Sequence, residues 1–401
     1  MFYENQPQEN QERYKRLLAA VGSLSNLFSA SDKPMLYYRG HENIFCKAFE
    51  AENLSREDCS ADAKKDKIGI GLKTWVDQND QKVAEFGKLK KEYADLTGIE
   101  LVKRIAEYRN LRISTTMNLH DIKQMIYHVI RRIPNAMEIC ETAFDKIDID
   151  NIVIDESRGN ANNTYFSDGH HTYHFSTSKN TLYMLFDDME TLDTFDVNIL
   201  DDPYTVLETL LFGQSYISAI DSKPEVKKEQ VCLRLYSTKR NGEKFVADKS
   251  GLNQWNGVRT SNRTRKDGTV VHVEKQRDEN ELYIPYPAED RRRNRPFFPA
   301  RDVPFKLRLP DGQVLSAKIC QSDDKAIMSN PNNALGEWLL RKVLELPVGK
   351  QVTYKMLQEF DIDSVIFTKE AEGEYSIDFC HCGTYENFYG LPDADELEQS
   401  E

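Results

Sequence analysis

Apolar positions along the first third of the chain recur with helical spacing. Tyr14, Leu17, Leu18, Val21, Leu24 and Leu27 predict a helix over 10–30. Further helices are expected over 40–50, over a highly charged stretch at 81–110, and over 119–134, where Pro134 stops the pattern. Between the second and third of these, Cys59 to Phe86 reads as a strand, a tight turn at 64–67, a second strand from Ile68 to Trp75, and the start of a helix. The pattern then shifts to alternation. Ile147–Asp155 predicts a strand, and Asp168-Gly169 is a two-residue turn signal between two strand-like runs. Ser178–Asn180 reads as the start of a helix over Thr181–Asp187, and 204–217 as one more helix.

Beyond Val231 short strands dominate. Val231–Tyr236, Leu282–Pro285, Phe305–Leu309 and Val314–Cys320 alternate or run apolar, and Pro310-Asp-Gly312 supplies a turn. A helix from Leu335 and two closing strands, Ser364–Lys369 and Glu374–Phe379, complete the series. The polar stretch around Asp221–Glu229, containing Pro224, marks the change. The expected organisation is a mixed α/β domain over 1–222 followed by an all-β, barrel-like domain over 223–401.

Composition narrows the class. No apolar run approaches the ~18 residues needed to span a bilayer, and the polar, acidic start does not read as a signal peptide. Seven scattered cysteines suggest reduced thiols and a cytoplasmic location. Cys380-His381-Cys382 lacks the second cluster that a zinc site needs. The net charge of −13 argues against general nucleic-acid binding. Yet Arg259, Arg263, Arg265 and Lys266 lie in an acid-free loop, with Arg291, Arg292, Arg293, Arg295 and Arg301 soon after. One basic face on an acidic protein would confine DNA to that surface.

The densest candidate chemistry is near the N-terminus. Asp62 would end one strand, Lys73 would lie in its neighbour, and Glu85 would fall in the first turns of the following helix. Two carboxylates and a lysine can hold a divalent metal, here Mg²⁺ on Asp62 and Glu85, and activate water. This arrangement resembles the PD-(D/E)XK nuclease superfamily. Most members carry a carboxylate two residues before the lysine, where this chain has Gly71, and Ala61 replaces the motif's proline. The resemblance to a variant with the carboxylate moved onto the next helix implies that role for Glu85. It also implies an assisting role for Glu42, with Glu50 nearby. His170 and His174 share a strand face, most simply a polar one. Ser178–Asn180 fits a phosphate contact or a plain cap.

Six stretches of the second half carry a second resemblance. They are Ser250–Arg259, Asn262–Gly268, Glu281–Pro285, Phe297–Pro299, Lys325–Asn330 and Leu335–Trp338. Together they resemble the C-terminal DNA-recognition domain of the NgoFVII group of restriction endonucleases, over about residues 230–390. The resemblance implies a pseudobarrel, shared with plant transcription factors, whose two arms clasp the major groove. The first arm would be Asn253–Lys266, including Gln254 and Trp255, and the second Lys325–Asn333. Arg259, Asn262, Arg263, Arg265 and Asn330 would read bases, with Asn333 also on the second arm. Ser329, Lys325 and Lys266 would hold phosphates. Members of that group usually carry a His-X-Lys nuclease in front, which this chain lacks. The combined expectation is a type II restriction endonuclease cutting double-stranded DNA with Mg²⁺, with a homodimer on DNA as the assembly considered. A cognate DNA methyltransferase would share the system without a stable complex. The alternatives are a non-catalytic DNA-binding regulator and a modification-dependent endonuclease.

Overall fold

The computed structural model describes residues 1–55, 59–76, 80–160, 162–187, 189–212, 228–239, 241–264 and 270–391, and not the side chains of 211, 212, 261–264 and 272. The chain folds as two compact units. The first comprises Met1–Met117 and Ile122–Val226, the second Asn118–Asp121 and Lys227–Glu401.

The first unit is mixed α/β. Its opening helix α1 (Gln8–Ser23) buries Tyr14, Leu18 and Gly22 at four-residue spacing. Gly22 lets the helix approach closely, since a Cβ there would lie 2.9 Å from Met137 and Val197. Helix α2 (Tyr38–Phe49) buries Ile44, Phe45, Ala48 and Phe49. Glu50, at a left-handed φ of 53°, ends it. Strands β1 (Glu52–Asn53), β2 (Ala63–Lys65) and β3 (Ile68–Trp75) follow as an antiparallel run. Next come β4 (Asp80–Glu85), a short α3 (Lys90–Tyr93) and the long α4 (Gly98–Leu119). The chain then returns as β5 (Gln124–Ile133), parallel to β3, and turns into antiparallel β6 (Ala136–Ala143). Strand β7 (Val153–Ile154) precedes β8 (Asn163–Ser167), β9 (Thr172–Ser176) and β10 (Thr181–Leu185), and β11 (Glu190–Asp196) and α5 (Pro203–Phe212) follow. The first sheet has the order β1-β2-β3-β5-β6-β11; the second is β4-β10-β9-β8-β7. One core, with Phe45, Phe49, Ile70 and Ile130, joins the first sheet to α1 and α2. The other, with Trp75, Tyr127, Ile105 and Phe175, joins the two sheets and α4.

Four sequence expectations fail here, wholly or in part. Within 119–134, Gln124–Ile133 form strand β5, not a helix. Their apolar residues feed both cores, so the two-sided burial hides the strand period. Residues 80–85 are strand, so Glu85 ends a strand rather than opening a helix. Thr181–Leu185 is strand β10, entered through a turn with Asn180 at φ 52°. The phosphate-binding helix end expected at Ser178–Asn180 is therefore not formed. Of the strand expected at Ile147–Asp155, only Val153–Ile154 is extended.

The second unit is built on one curled seven-stranded sheet. Its strands are β12 (Gln230–Arg234), β17 (Ile284–Pro285), β18 (Pro304–Arg308), β19 (Val314–Cys320), β20 (Ala326–Asn330), β21 (Ser364–Ala371) and β22 (Glu374–Cys380). Their order is β12-β21-β22-β18-β19-β20-β17. The outer strands β12 and β17 approach each other, so the sheet curls into a half-barrel. Alternation in β18 and β19 points Phe305, Leu307, Leu315, Ala317 and Ile319 inward. Two ribbons stand apart from this sheet: β13 (Ser237–Thr238) with β14 (Lys244–Phe245), and β15 (Val258–Thr264) with β16 (Val270–Gln276). Helices α6 (Ala288–Arg293), α7 (Ala334–Gly336, continuing through a π-helical Glu337–Val343), α8 (Tyr354–Phe360) and α9 (Thr384–Tyr389) complete the unit.

Candidate functional site

In the first unit, Asp62 is held immediately before β2. Its backbone N–H donates to Ile70 (2.9 Å), and its carbonyl accepts from Leu54 (3.0 Å). Its Oδ2 accepts the Leu72 amide at 2.7 Å. This pins the carboxylate beside Lys73, the next residue on β3. Burial raises the Asp62 pKa, and the charge of Lys73 and the Leu72 amide oppose the rise. Glu42, from α2, faces the same place. It is 5% exposed, and burial followed by the charge of Asp62 raises its pKa. Arg39 donates to Glu42 Oε2 at 3.0 Å and to the Ser55 carbonyl at 2.6 Å. The Cys46 thiol, one turn after Glu42, is pushed up to about 12 by burial and then by the charges of Glu42 and Asp62. The cluster is thus two crowded carboxylates, a lysine and an arginine.

Glu85 sits elsewhere in this scheme. Its side chain is exposed and paired with Lys82 on the same strand, and its backbone pairs with Thr181. Asp62 answers electrostatically to Lys73 and Arg39, and Glu42 answers to Asp62. Glu50 caps α2 and gives its carbonyl to Lys65. The Gly71 position is closed to any side chain, because a Cβ there would lie 2.8 Å from the Tyr127 ring. That ring is stacked on Phe144 with centroids 4.0 Å apart. Among the described residues, no group of three or more His, Cys, Asp or Glu could hold a metal ion. Two carboxylates still suit Mg²⁺, which takes one or two and fills its remaining positions with water and phosphate.

A buried polar chain that sequence reasoning missed backs α2. His41, next to Glu42, is bonded through Nε2 to Tyr14 Oη (2.8 Å), which also meets His128 Nε2 (3.0 Å). Glu141 accepts from His128 Nδ1 (2.9 Å) and from the backbone amides of Phe2 (2.7 Å) and Tyr3 (3.0 Å). Burial, and then His128, holds the His41 pKa well below the ordinary value. His174, by contrast, is stacked between Tyr165 and Tyr183 across three strands.

In the second unit, the predicted arms line one open cavity of about 700 Å³. Gln254 and Arg259 come from the first arm, and Lys325, Ser329 and Asn330 from the second. Glu281, 1% exposed, also lines it. Its carboxylate accepts from Gln254 Nε2 (2.6 Å), Arg259 Nη2 (2.9 Å), Asn332 Nδ2 (2.8 Å) and Arg277. Other predicted readers are framework. Asn253 is buried, donating to Val352 O (2.8 Å) and accepting Val352 N (2.8 Å). Ser329 Oγ donates to Pro331 O (2.8 Å) and accepts the Leu335 amide (2.9 Å). Trp255 is buried. Asn333 precedes α7 and contacts Asp278 at 3.5 Å. Asn262 and Arg263 lie on β15, opposite His272 and Val271, with side chains outside the description. Arg265 and Lys266 lie outside the described residues. The arginine run is largely engaged internally: Arg293 pairs with Glu289 and Arg291 donates to Tyr286 O.

No helix among the described residues is long and apolar enough to cross a membrane. No curated protein matches the chain. Residues 226–371 match the family model of the NgoFVII C-terminal B3-like DNA-binding domain. The curled half-barrel, the two arms on one cavity and this match agree: the second unit carries an NgoFVII-like pseudobarrel DNA-binding domain.

Proposed function

We propose that the chain is a sequence-specific, Mg²⁺-dependent endonuclease of the restriction type, acting on double-stranded DNA. The observation that carries the reading is the convergence of Asp62, Lys73 and Glu42 in a chain that also bears a DNA-binding domain. The order of elements supports it. A helix, three antiparallel strands, a crossover helix and a strand parallel to the third form the scaffold expected of a PD-(D/E)XK nuclease. Asp62 and Glu42 would hold the metal, replacing Glu85 as the second ligand. Bound there, Mg²⁺ would lower the pKa of a water and neutralise charge on the phosphate. Lys73 would hold the attacking water or the developing charge. Arg39, on Glu42, would be the residue nearest to meet a phosphate. A homodimer on DNA and a methyltransferase in the same system belong to this proposal.

Mapped plasmid incubated with the full chain and Mg²⁺ should give discrete fragments. Binding without fragments would favour a non-catalytic DNA-binding regulator, the reading to which the blocked Gly71 position points. Methylated and unmodified plasmids in parallel separate a modification-dependent enzyme.

A further inference from the structure

Glu281 is an acid in the lining of a cavity whose lysines should attract phosphate. Lys249, Lys318 and Lys325 line the same cavity. A carboxylate there weakens the general attraction of DNA, so its presence needs a separate reason. The hydrogen bonds supply one. The four donors come from different elements: Gln254 from the 3₁₀ turn at 251–256, Arg259 from β15, Arg277 after β16 and Asn332 after β20. Gln321 Nε2 extends the set, donating to Gln254 Oε1 at 2.9 Å. One carboxylate therefore ties the first arm to the second.

We infer that Glu281 is the specificity-determining positioning residue of the DNA-reading surface, fixing Arg259 and Arg277 as guanine-reading donors. The inference rests on the DNA-binding reading of this cavity. A guanidinium has five donors in a rigid fork. Arg259 gives Glu281 one of them and its side chain stays 53% exposed. A mobile arginine would bind any phosphate. One held by a buried acid presents its remaining N–H groups in a fixed direction, as bidentate reading of guanine O6 and N7 requires. Gln254 is engaged at both ends, by Glu281 and Gln321, and serves as a spacer rather than a reader. Asn332 brings the second arm to the same anchor.

The test uses the full chain without divalent metal and a pool of duplexes with a randomised core. Wild type should enrich a motif containing guanine. Glu281→Gln should bind the unselected pool more tightly, because one negative charge is gone and two arginines are released. Its log K against log salt should steepen by roughly one unit. Its preference for the selected duplex over a scrambled one should fall by about tenfold to a hundredfold, most at the guanine positions. A merely structural carboxylate would weaken both duplexes together. An unchanged preference in the folded variant overturns the inference. Should Glu281→Gln fail to fold, Arg277→Lys and Asn332→Ala carry the test. Loss of preference in both supports it, and wild-type preference in both overturns it. A wild-type chain that enriches nothing would instead remove the DNA-reading role of the cavity, and the inference with it.

Discussion

Two buried acidic centres, one in each unit, are handled in opposite ways. Around Asp62 and Glu42 the carboxylates are crowded, and burial with mutual repulsion raises the pKa of Glu42. Around Glu281 the carboxylate is surrounded by four donors, two of them cationic. The first centre is electrostatically stressed, the state that a cation would relieve. The second is satisfied and stays fixed. Metal chemistry would call for the former, because a carboxylate already held by four donors has little left to offer a metal. Reading calls for the latter, because discrimination depends on donors that do not move.

The largest test of this contrast concerns cleavage. A metal contributes several kcal/mol to phosphoryl chemistry, and each ~1.4 kcal/mol is tenfold. Asp62→Ala, Lys73→Ala and Glu42→Gln should each slow plasmid cutting by roughly 10³-fold while duplex binding, measured by titration, persists. Glu85→Gln should fall far less. Equal losses for Glu42 and Glu85 would return the second ligand to the strand end. Next in size is Gly71→Asp, which restores a carboxylate where the Tyr127 ring stands. It should cost about 1–3 kcal/mol in denaturant unfolding without faster cutting, and in a Tyr127→Ala background the same change should cost less.

Asn253→Ala and Asn333→Ala separate framework from surface in the second unit. The first breaks a buried pair of bonds to Val352 and should lower stability by about 1–3 kcal/mol; the second should change melting little. Arg259→Ala should cost about 1–3 kcal/mol of discrimination, read as the affinity ratio of cognate to scrambled duplex. The smallest effect is the pH dependence of Asp62→Asn. A carboxyl whose folded pKa is raised stabilises the fold at low pH and loses that contribution as pH rises through the folded pKa. The variant should therefore melt at or above wild type at neutral pH, and the gap should close on acidification. A melting temperature below wild type at neutral pH would mean that the charge of Asp62 stabilises the fold.

The features legible in the sequence are local ones. Asp168-Gly169 names its own turn, since Gly169 needs a φ of 86°, and β18 and β19 announce themselves by strict alternation. Asp62 and Lys73 could be placed near each other because a short turn joins their strands. What failed was decided at a distance. Strand β5 is buried on both faces, so its period vanishes. Glu42 was reachable only through the family resemblance: it meets Asp62 because α2 packs against β3, which no spacing reports. Asn253 and Ser329 have the residue types of base and phosphate readers, but Val352 and Leu335, far along the chain or beyond a turn, claim their polar atoms. Glu281 did carry a signal: an acid directly before the apolar run Leu282–Ile284, fully buried once folded.

Strand β12 opens the second unit, yet its hydrogen-bonding partner is β21, near the far end of the chain. During synthesis the half-barrel cannot close until β21, more than a hundred residues after β12, has left the ribosome. The elements that carry Asp62, Lys73 and Glu42 pair with partners no later than β5 and can be complete well before. At ~5–20 residues per second, the interval between the two events is on the order of tens of seconds. A translation product that stops before β21 would therefore carry the carboxylate cluster without a closed half-barrel.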